Sequence, residues 1–250
     1  APPTASSAVS GLIATQYGLA ATYYLSAIAA AFAALSLIWF REPTLHKQSA
    51  EVSALLHIKD TFRIVLKNKQ LYVLLLALIL ILCIDSIIFN FDQVWYPPLM
   101  IALVFYGPLN ALMLSTISVS GLILSYYRKI PHYKIILCLL PFIASLGLLT
   151  QNIPSVILGQ FFLTAGVLGL YEIFIKRLND NLPSRLRAGS TSLVSTIGQT
   201  VSLPLILLFG FWADSYSIFS AAIILVIVAF LLLTLTPRIL SEQLNKNQRA

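Results

Sequence analysis

Apolar residues form seven long runs in this chain, and shorter stretches that contain polar residues separate one run from the next. A helix that spans a membrane needs about 20 mostly apolar residues, and most of the runs reach that length. The pattern therefore predicts an all-α fold, a polytopic bundle of helices that crosses a membrane seven times. The predicted spans are approximately Leu12–Phe40, Leu71–Trp95, Leu99–Tyr127, Ile135–Thr150, Val156–Ile175, Ala188–Phe211 and Ile218–Leu235.

The third predicted span contains prolines that leave two possible starts for its helix. Pro97-Pro98 and Gly107-Pro108 each offer a place where a helix can begin. Because proline suits the first turn of a helix, we expect the regular helix to begin at Pro108. Residues Leu99–Tyr106 are then expected to form an irregular or re-entrant segment before it.

One long polar segment, Arg41–Gln70, separates the first two predicted spans. Within it, Glu51–Lys69 carries apolar residues at helical spacing, while Lys59, Arg63 and Lys67 line another face. This pattern is typical of an amphipathic helix that lies along the headgroups of a membrane. An ordinary solvated loop is the alternative. The apolar positions are Val52, Leu55, Leu56, Phe62 and Val65.

The composition and the distribution of charge agree with a membrane protein. Hydrophobic residues make up 58% of the chain and charged residues 10%, and the mean hydropathy is +0.88, which excludes an ordinary soluble domain. The net charge of +7 could indicate nucleic acid, but the basic residues lie in the short gaps between apolar runs. That arrangement is the one that orients membrane proteins, so we expect a lipid bilayer and no nucleic acid as the partner.

The basic residues also predict the orientation. If the polar segment Arg41–Gln70 is cytoplasmic, strict alternation of the seven spans places all 16 Lys and Arg residues on that same side. The opposite gaps then contain only Asp92 and Asp214 as charged residues. Since cytoplasmic loops are enriched in Lys and Arg, the first residue is expected outside and the tail 237–250 in the cytoplasm.

Polar residues within the predicted spans follow a repeating order. After the polar segment the spans run polar, polar, plain, polar, polar, plain. A repeat of three spans must enter the membrane in the inverted sense, and transporters use inverted repeats to build a binding site near the midplane. A membrane scaffold could have the same order by accident. The candidates for contact with a substrate or a coupling ion are Asp85, Asn90, Asn110, Gln160, Thr164, Tyr171, Ser192, Ser195 and Gln199.

Two predicted spans carry their polar residues on one face. In the sixth span, polar residues are spaced by three, four and three, and in the fifth Gln160, Thr164 and Tyr171 share a face. Such stripes are expected to line a cavity. The alternative is that the hydroxyl groups bond to the backbone of their own helix. The stripe of the sixth span consists of Ser192, Ser195, Gln199 and Ser202.

Asp85 is the most informative single residue. It lies about 22 Å along its helix from Leu71, well inside the hydrocarbon layer of roughly 30 Å. A carboxylate at that depth is costly unless it is neutralised or bonded. Asp85 is therefore a candidate for proton coupling or for binding a cationic substrate. The alternative is a structural aspartate bonded to a neighbouring helix.

Charged residues near the cytoplasmic ends are candidates for a gate. These are Glu172, Arg128 and Arg187, although Glu172 can instead pair with Lys176 one turn away. Several helix-modifying residues also fit a bundle whose helices move. Prolines inside two spans free a backbone carbonyl, and glycines in the fifth span allow close helix approach. They are Pro141, Pro204, Gly159, Gly166 and Gly169.

No sequence motif in the chain indicates an enzyme, a cofactor or a metal. His46, His57 and His132 lack the spacing of a zinc site, and no phosphate-binding loop or serine-hydrolase motif occurs. A membrane enzyme would need a polar constellation at one interface, and we find none. A seven-span receptor is the other rival, but its expected Asn-Pro-x-x-Tyr-like element, or a Schiff-base lysine, is missing from the last span.

Four stretches resemble the major facilitator superfamily from its sixth helix to its end. They resemble, in order, the close of the sixth helix, the outer end of the seventh, the link between the tenth and eleventh, and the close of the eleventh. The stretches are Ile38-Trp39-Phe40-Arg41-Glu42-Pro43, Val94-Trp95-Tyr96-Pro97, Leu178-Asn179 with Pro183 and Arg187-Ala188-x-x-x-Ser192, and Gly210-Phe211-Trp212-Ala213-Asp214.

The resemblance implies a secondary transporter that moves a small molecule by alternating access, with protons or another ion as possible coupling partners. It also implies a division of the chain. Residues 1–40 hold the last helix of an N-terminal half, 41–70 the central cytoplasmic loop, 71–236 the C-terminal six-helix domain and 237–250 the tail. The missing N-terminal half of the same protein would be a partner. The opening Ala-Pro-Pro-Thr, without Met or signal peptide, also indicates a fragment.

Overall fold

Eight α-helices account for most of the chain in a computed structural model, which describes residues 13–38, 67–127, 133–182 and 184–247. No strand occurs in these ranges, which confirms the all-α prediction. The helices are α1 Leu19–Ile38, α2 Lys69–Phe91, α3 Tyr106–Tyr127, α4 Tyr133–Gly147, α5 Ile153–Asp180, α6 Ser184–Ser215, α7 Ile218–Ala221 and α8 Ile223–Asn247.

Every predicted span coincides with a helical region, and four of these regions are long and apolar enough to cross a membrane. These four are Lys69–Trp95, Ile153–Asp180, Gly189–Ser215 and Ile218–Thr236. The remaining three regions show apolar helical stretches of 10–17 residues within the described part of the chain, at Ala20–Ser36, Leu103–Thr116 and Ile136–Gly147.

The first residues of α2 correct one boundary of the predicted polar segment. Asn68 has an extended backbone, and its side chain accepts hydrogen bonds from the N–H groups of Gln70 and Leu71, at 3.0 and 3.4 Å. Such a cap starts a new helix, so Lys69 and Gln70 belong to α2 and cannot continue an amphipathic helix over Glu51–Lys69. Residues 39–66, which include most of the predicted polar segment and amphipathic helix, lie outside the described residues.

The link between α2 and α3 is irregular, as predicted. A 3₁₀ helix, Asp92–Trp95, continues α2, and Met100 then adopts a left-handed backbone with φ of 57°. The Ile101 N–H donates to the Tyr96 carbonyl at 3.1 Å, which closes the turn. A second 3₁₀ helix, Leu103–Phe105, leads into α3, which begins at Tyr106, two residues before the predicted start at Pro108.

Helix α2 is the centre of the bundle and packs against α5, α6 and α8. Apart from Ser86, its buried residues are Leu, Ile, Ala and Cys. Close contact with α6 occurs at Gly198, where a Cβ atom would lie 2.3 Å from Leu82 Cδ1. Further along both helices, Gly210 faces the Phe91 ring, so α2 and α6 run in the same direction.

Helices α4 and α5 form a tight antiparallel pair. A Cβ on Gly147 would lie 2.9 Å from the Ser155 carbonyl oxygen, and one on Gly159 would lie 2.9 Å from that of Ala144. Further along, Gly166 faces Pro141. The prediction that glycines of the fifth span permit close approach is confirmed, and Gly169, facing Leu137, follows the same pattern. Pro141 and Pro204 both lie inside helices, as predicted.

Helices α5, α6 and α8 meet at one end of the bundle. The Arg177 guanidinium donates to the Ile239 carbonyl of α8, and the Ser190 hydroxyl of α6 donates to the Asn179 side-chain oxygen of α5, at 3.1 Å. The opposite end holds the 3₁₀ helix Asp92–Trp95, which contacts α3 and α7. Helices α2 to α6 therefore alternate in direction, and α8 runs opposite to α6, as a multi-pass membrane protein requires.

Candidate functional site

Polar side chains from α3, α5 and the end of α2 meet at one end of the bundle. We call Asp92, Tyr96, Asn110 and Gln160 the Asp92 cluster. Asn110 of α3 donates its amide N–H to the Asp92 carboxylate, and the Gln93 backbone N–H donates to the other carboxylate oxygen at 2.7 Å. Both oxygens of Asp92 therefore have donors. Hydrogen bonds to an ionised carboxylate are stronger than neutral ones, so Asp92 joins α3 to α2.

Gln160 links α5 to the same point. Its Nε2 donates to the Asp92 backbone carbonyl at 2.8 Å, and its Oε1 accepts from the Tyr96 hydroxyl at 3.4 Å. The Gln160 side chain is fully buried. Both ends of its amide are engaged by the end of α2, so Gln160 holds two helices together at this position.

Tyr96 completes the cluster from the turn after α2. Its buried ring meets the Tyr106 ring edge-on, with the centroids 5.0 Å apart. Burial, with a smaller contribution from the nearby Asp92 carboxylate, raises the pKa of the Tyr96 phenol well above its usual value. The phenol therefore stays protonated and donates to Gln160.

Trp95 packs beside the Asp92 cluster. Its fully buried indole lies against the Phe209 ring of α6, with the ring centroids 5.8 Å apart. The Phe91 ring also packs against Phe209, with the centroids 4.8 Å apart. The indole N–H has no acceptor in the described part of the chain. A buried donor without a partner is costly, so the apolar contacts of the ring must hold Trp95 in place.

Asp85 lies two turns deeper along α2 and has a different environment. Its side chain is half-buried, and within the described ranges the carboxylate has no hydrogen bond and no ion pair. It is close enough to the Tyr171 phenol of α5 for an electrostatic interaction. The alternative of a structural aspartate bonded to a neighbouring helix therefore finds no partner among these residues. Asp85 is an available carboxylate at membrane depth.

Two other candidates bond to their own helices. The Asn90 amide donates to the Ser86 carbonyl at 2.7 Å, and the Thr164 hydroxyl donates to the Gln160 carbonyl at 2.9 Å. These bonds are the ones that the alternative interpretation of polar stripes describes. Neither residue joins the Asp92 cluster through its side chain.

The polar stripe of α6 divides into two parts. Ser192, Ser195 and Gln199 are exposed along one face, whereas Ser202 is fully buried and donates to the Gln199 carbonyl at 2.9 Å. The exposed face continues along α6 through apolar residues such as Leu203 and Leu207. The prediction that the first three residues line a cavity stays a prediction.

Within the described part of the chain, the gate candidate Glu172 forms no ion pair. Glu172 and Lys176 are both exposed, and no ion pair joins them or any other described residue to Glu172. An ion pair between two exposed side chains one helical turn apart adds little stability, because both side chains lose conformational freedom when it forms. Arg128 lies outside the described residues, and Arg187 lies in α6 with a side chain that the structure does not describe.

The Asp92 cluster was not predicted from the sequence, although Asn110 and Gln160 were among the candidate residues. Asp92 stood out only as a rare charged residue on its side of the membrane, and Tyr96 only as part of a motif. The available signal was an Asp directly after an apolar run, with amides near the starts of two later helices.

Among the described residues, no group of three or more His, Cys, Asp or Glu side chains could hold a metal ion.

The comparison with known protein families agrees with the helical architecture. The family model described as Major Facilitator Superfamily matches residues 2–199 of this chain, which is most of its length. The matched region includes Asp85, the whole Asp92 cluster and the polar face of α6. No curated protein is significantly similar to the chain.

Proposed function

This chain belongs to the major facilitator superfamily and is a multi-pass membrane transporter, and from that premise we propose that it moves a small molecule by alternating access. We further propose that transport is coupled to protons or to another cation. Family membership fits the expectation that the chain is not an enzyme.

The observation that carries the proposal is the free carboxylate of Asp85. The charged residues within the seven predicted spans are Asp85, Asp92 and Glu172, all of them acidic. Donors already engage both carboxylate oxygens of Asp92, and Glu172 is exposed. Among the described residues, Asp85 combines a half-buried position inside a predicted span with a carboxylate that has no hydrogen bond or ion pair, which is costly unless a proton or a cation neutralises it. The proposed ligand of Asp85 is therefore a proton or a cation.

We propose that the missing N-terminal half of the same protein covers α1 and the exposed face of α6. Tyr23 and Phe32 of α1 are 75% and 69% exposed. Only 28% of the most apolar stretch of α6 is buried, against 67% for α2, although both helices are long enough to span. Ser192, Ser195 and Gln199 on that face would then border a cavity between two halves.

The experiment that tests this proposal compares two purified proteins in liposomes. We expect the 250-residue chain to insert but to move no solute, because one half cannot form both walls of an alternating-access cavity. A protein that also contains the preceding half should show saturable uptake. Uptake by the 250-residue chain alone would contradict the proposed division into halves. A longer protein that moves neither a lipophilic organic cation nor protons would contradict the proposed function.

A second prediction concerns orientation, which rests on the distribution of Lys and Arg. A reporter that is active only in the cytoplasm should work when fused after Ala250 and should be inactive when fused at Trp212. The reason is that α7 and α8 return the chain across the membrane between these two points. Activity of the Trp212 fusion would show that the charge-based orientation is wrong.

A further inference from the structure

Gln160 and Tyr171 lie on α5, whereas Asp85 lies on α2 and Asp92 on the 3₁₀ helix that continues it, and α2 and α5 pack against each other. Helices α2 and α5 are antiparallel. The path back along α2 from Asp92 to Asp85 and the path forward along α5 from Gln160 to Tyr171 therefore run in the same direction through the bundle. The two paths are about 10 Å and about 16 Å long at 1.5 Å per residue. The long Gln and Tyr side chains can span the difference. Any axial shift of α5 against α2 at the cluster therefore also moves Tyr171 relative to Asp85.

Little else on α2 can fix that register. Its buried residues are apolar apart from Ser86, and apolar contacts between helices are not directional. In a bilayer, apolar side chains gain nothing from leaving lipid, so hydrogen bonds between helices carry more of the specificity. The glycines of α5 that permit close approach, Gly159 and Gly166, face α4. Among the described residues, the two hydrogen bonds between α5 and the end of α2 both involve Gln160.

We propose that the Asp92 cluster is a register clamp, in which Gln160 is the positioning residue that sets the depth of Asp85 on α2 relative to Tyr171 on α5. This proposal rests on the proposed function, because the clamp affects transport only through Asp85. Asn110 extends the clamp to α3, since its amide holds the Asp92 carboxylate in place. Gln160 touches no solute in this role and acts only through the helix that carries Asp85.

Few titratable groups surround Asp85, so a change in its setting should be measurable. Of the helices packed against α2, only α5 brings titratable groups to this depth, namely Tyr171 and Glu172. The sequence of α6 from 188 to 213, and that of the last span from 218 to 237, contains no titratable residue. Cys83 and Asp92 are the nearest such groups on α2 itself. The pH dependence of transport should therefore report the Asp85–Tyr171 pair.

The test uses the complete transporter in liposomes, with uptake of a lipophilic organic cation and of protons measured between about pH 5 and 9. Gln160→Leu removes both hydrogen bonds of the clamp from α5. We expect the pH midpoint of uptake to move and the apparent affinity at pH 7 to fall by about 3- to 30-fold, the range for coupling through packed side chains. Tyr96→Phe removes one weaker bond and keeps the ring contact with Tyr106, so a smaller shift in the same direction is expected.

Two further variants separate a clamp from a general loss of stability. Ser145→Ala removes a buried hydroxyl of α4 that donates only to the Phe142 carbonyl of its own helix, so its pH profile should match wild type. In an Asp85→Asn background, where substrate binding and downhill exchange are measured instead of accumulation, Gln160→Leu should cause no further change in the pH dependence, because the group through which the clamp acts is gone. Non-additivity of this kind would support the clamp.

The outcomes for the clamp and for the proposed function differ. Wild-type pH profiles in both Gln160→Leu and Tyr96→Phe, with Asp85→Asn inactive, would overturn the clamp and leave the proposed function standing. Full additivity of Gln160→Leu and Asp85→Asn would likewise overturn it. A wild-type profile in Asp85→Asn would overturn the proposed role of Asp85 before the clamp is considered. If Gln160→Leu does not fold, Tyr96→Phe decides the question, since it removes only a hydroxyl.

Discussion

Replacing Asp85 by Asn is expected to abolish gradient-driven accumulation in the complete transporter, with a fall of at least about tenfold. The half-buried carboxylate has no bond or ion pair among the described residues, so its charge must be relieved by a ligand during the cycle. An amide of the same shape cannot take up and release a proton. If protons are the coupling ion, binding of substrate and downhill exchange should remain, while accumulation against a gradient is lost.

A cationic substrate would give a different result with the same variant. Asp85→Asn should then weaken binding itself by about tenfold, because a charge-assisted bond becomes a neutral one of roughly half the strength. Binding and accumulation are therefore measured together across pH. Asp85→Glu keeps the charge and should retain part of the activity. Ser86→Ala removes the adjacent hydroxyl without changing any charge and should behave as wild type. Wild-type accumulation by Asp85→Asn would remove Asp85 from the mechanism.

Gly159→Ala is expected to destabilise the protein by about 1–3 kcal/mol, the usual cost of overpacking. The new Cβ would lie 2.9 Å from the Ala144 carbonyl oxygen and 3.2 Å from Leu148 Cδ2. A backbone oxygen cannot rotate away, so α4 and α5 must separate. Alanine is the better helix former by about 1 kcal/mol, which means that a loss of stability must come from packing. The measurement is the thermal unfolding temperature of the purified protein in detergent.

Gly169→Ala is the matched control, on the same helix and against the same neighbour. Its Cβ would meet Leu137 side-chain carbons at 3.3 Å and beyond, and a leucine side chain can adjust by a few tenths of an ångström. We expect the stability of this variant to stay within about 1 kcal/mol of wild type. Equal losses at Gly159 and Gly169 would show that the backbone contact at Ala144 is not what limits the approach of the two helices.

The positions of the helices could be predicted from the sequence because their cause is local. Apolar runs of membrane-spanning length must satisfy their backbone groups internally, and the helix is the structure that does so within one segment. The break between α2 and α3 was predictable for the same reason, since Pro97 and Pro98 lack the N–H groups that a helix needs. Within this break, the observed start of α3 at Tyr106 differs from the predicted start at Pro108. The reason is that the 3₁₀ turn over Leu103–Phe105 continues directly into the α-helix.

The partners of the polar residues depended on tertiary structure. Asp85 and Asp92 lie seven residues apart on one helix, and nothing in their local sequence distinguishes an available carboxylate from a bonded one. The difference arises because Asn110 of α3 and the Gln93 backbone N–H reach the Asp92 carboxylate at the end of α2, whereas no described donor reaches Asp85. In the same way, spacing put Ser202 in a stripe with Gln199, but the packing of α6 buried one and exposed the other. The sequence by itself determined where the helices and their polar residues lie along the chain, and the packing of α2 against α3 and α5 decided which of those residues bond across helices.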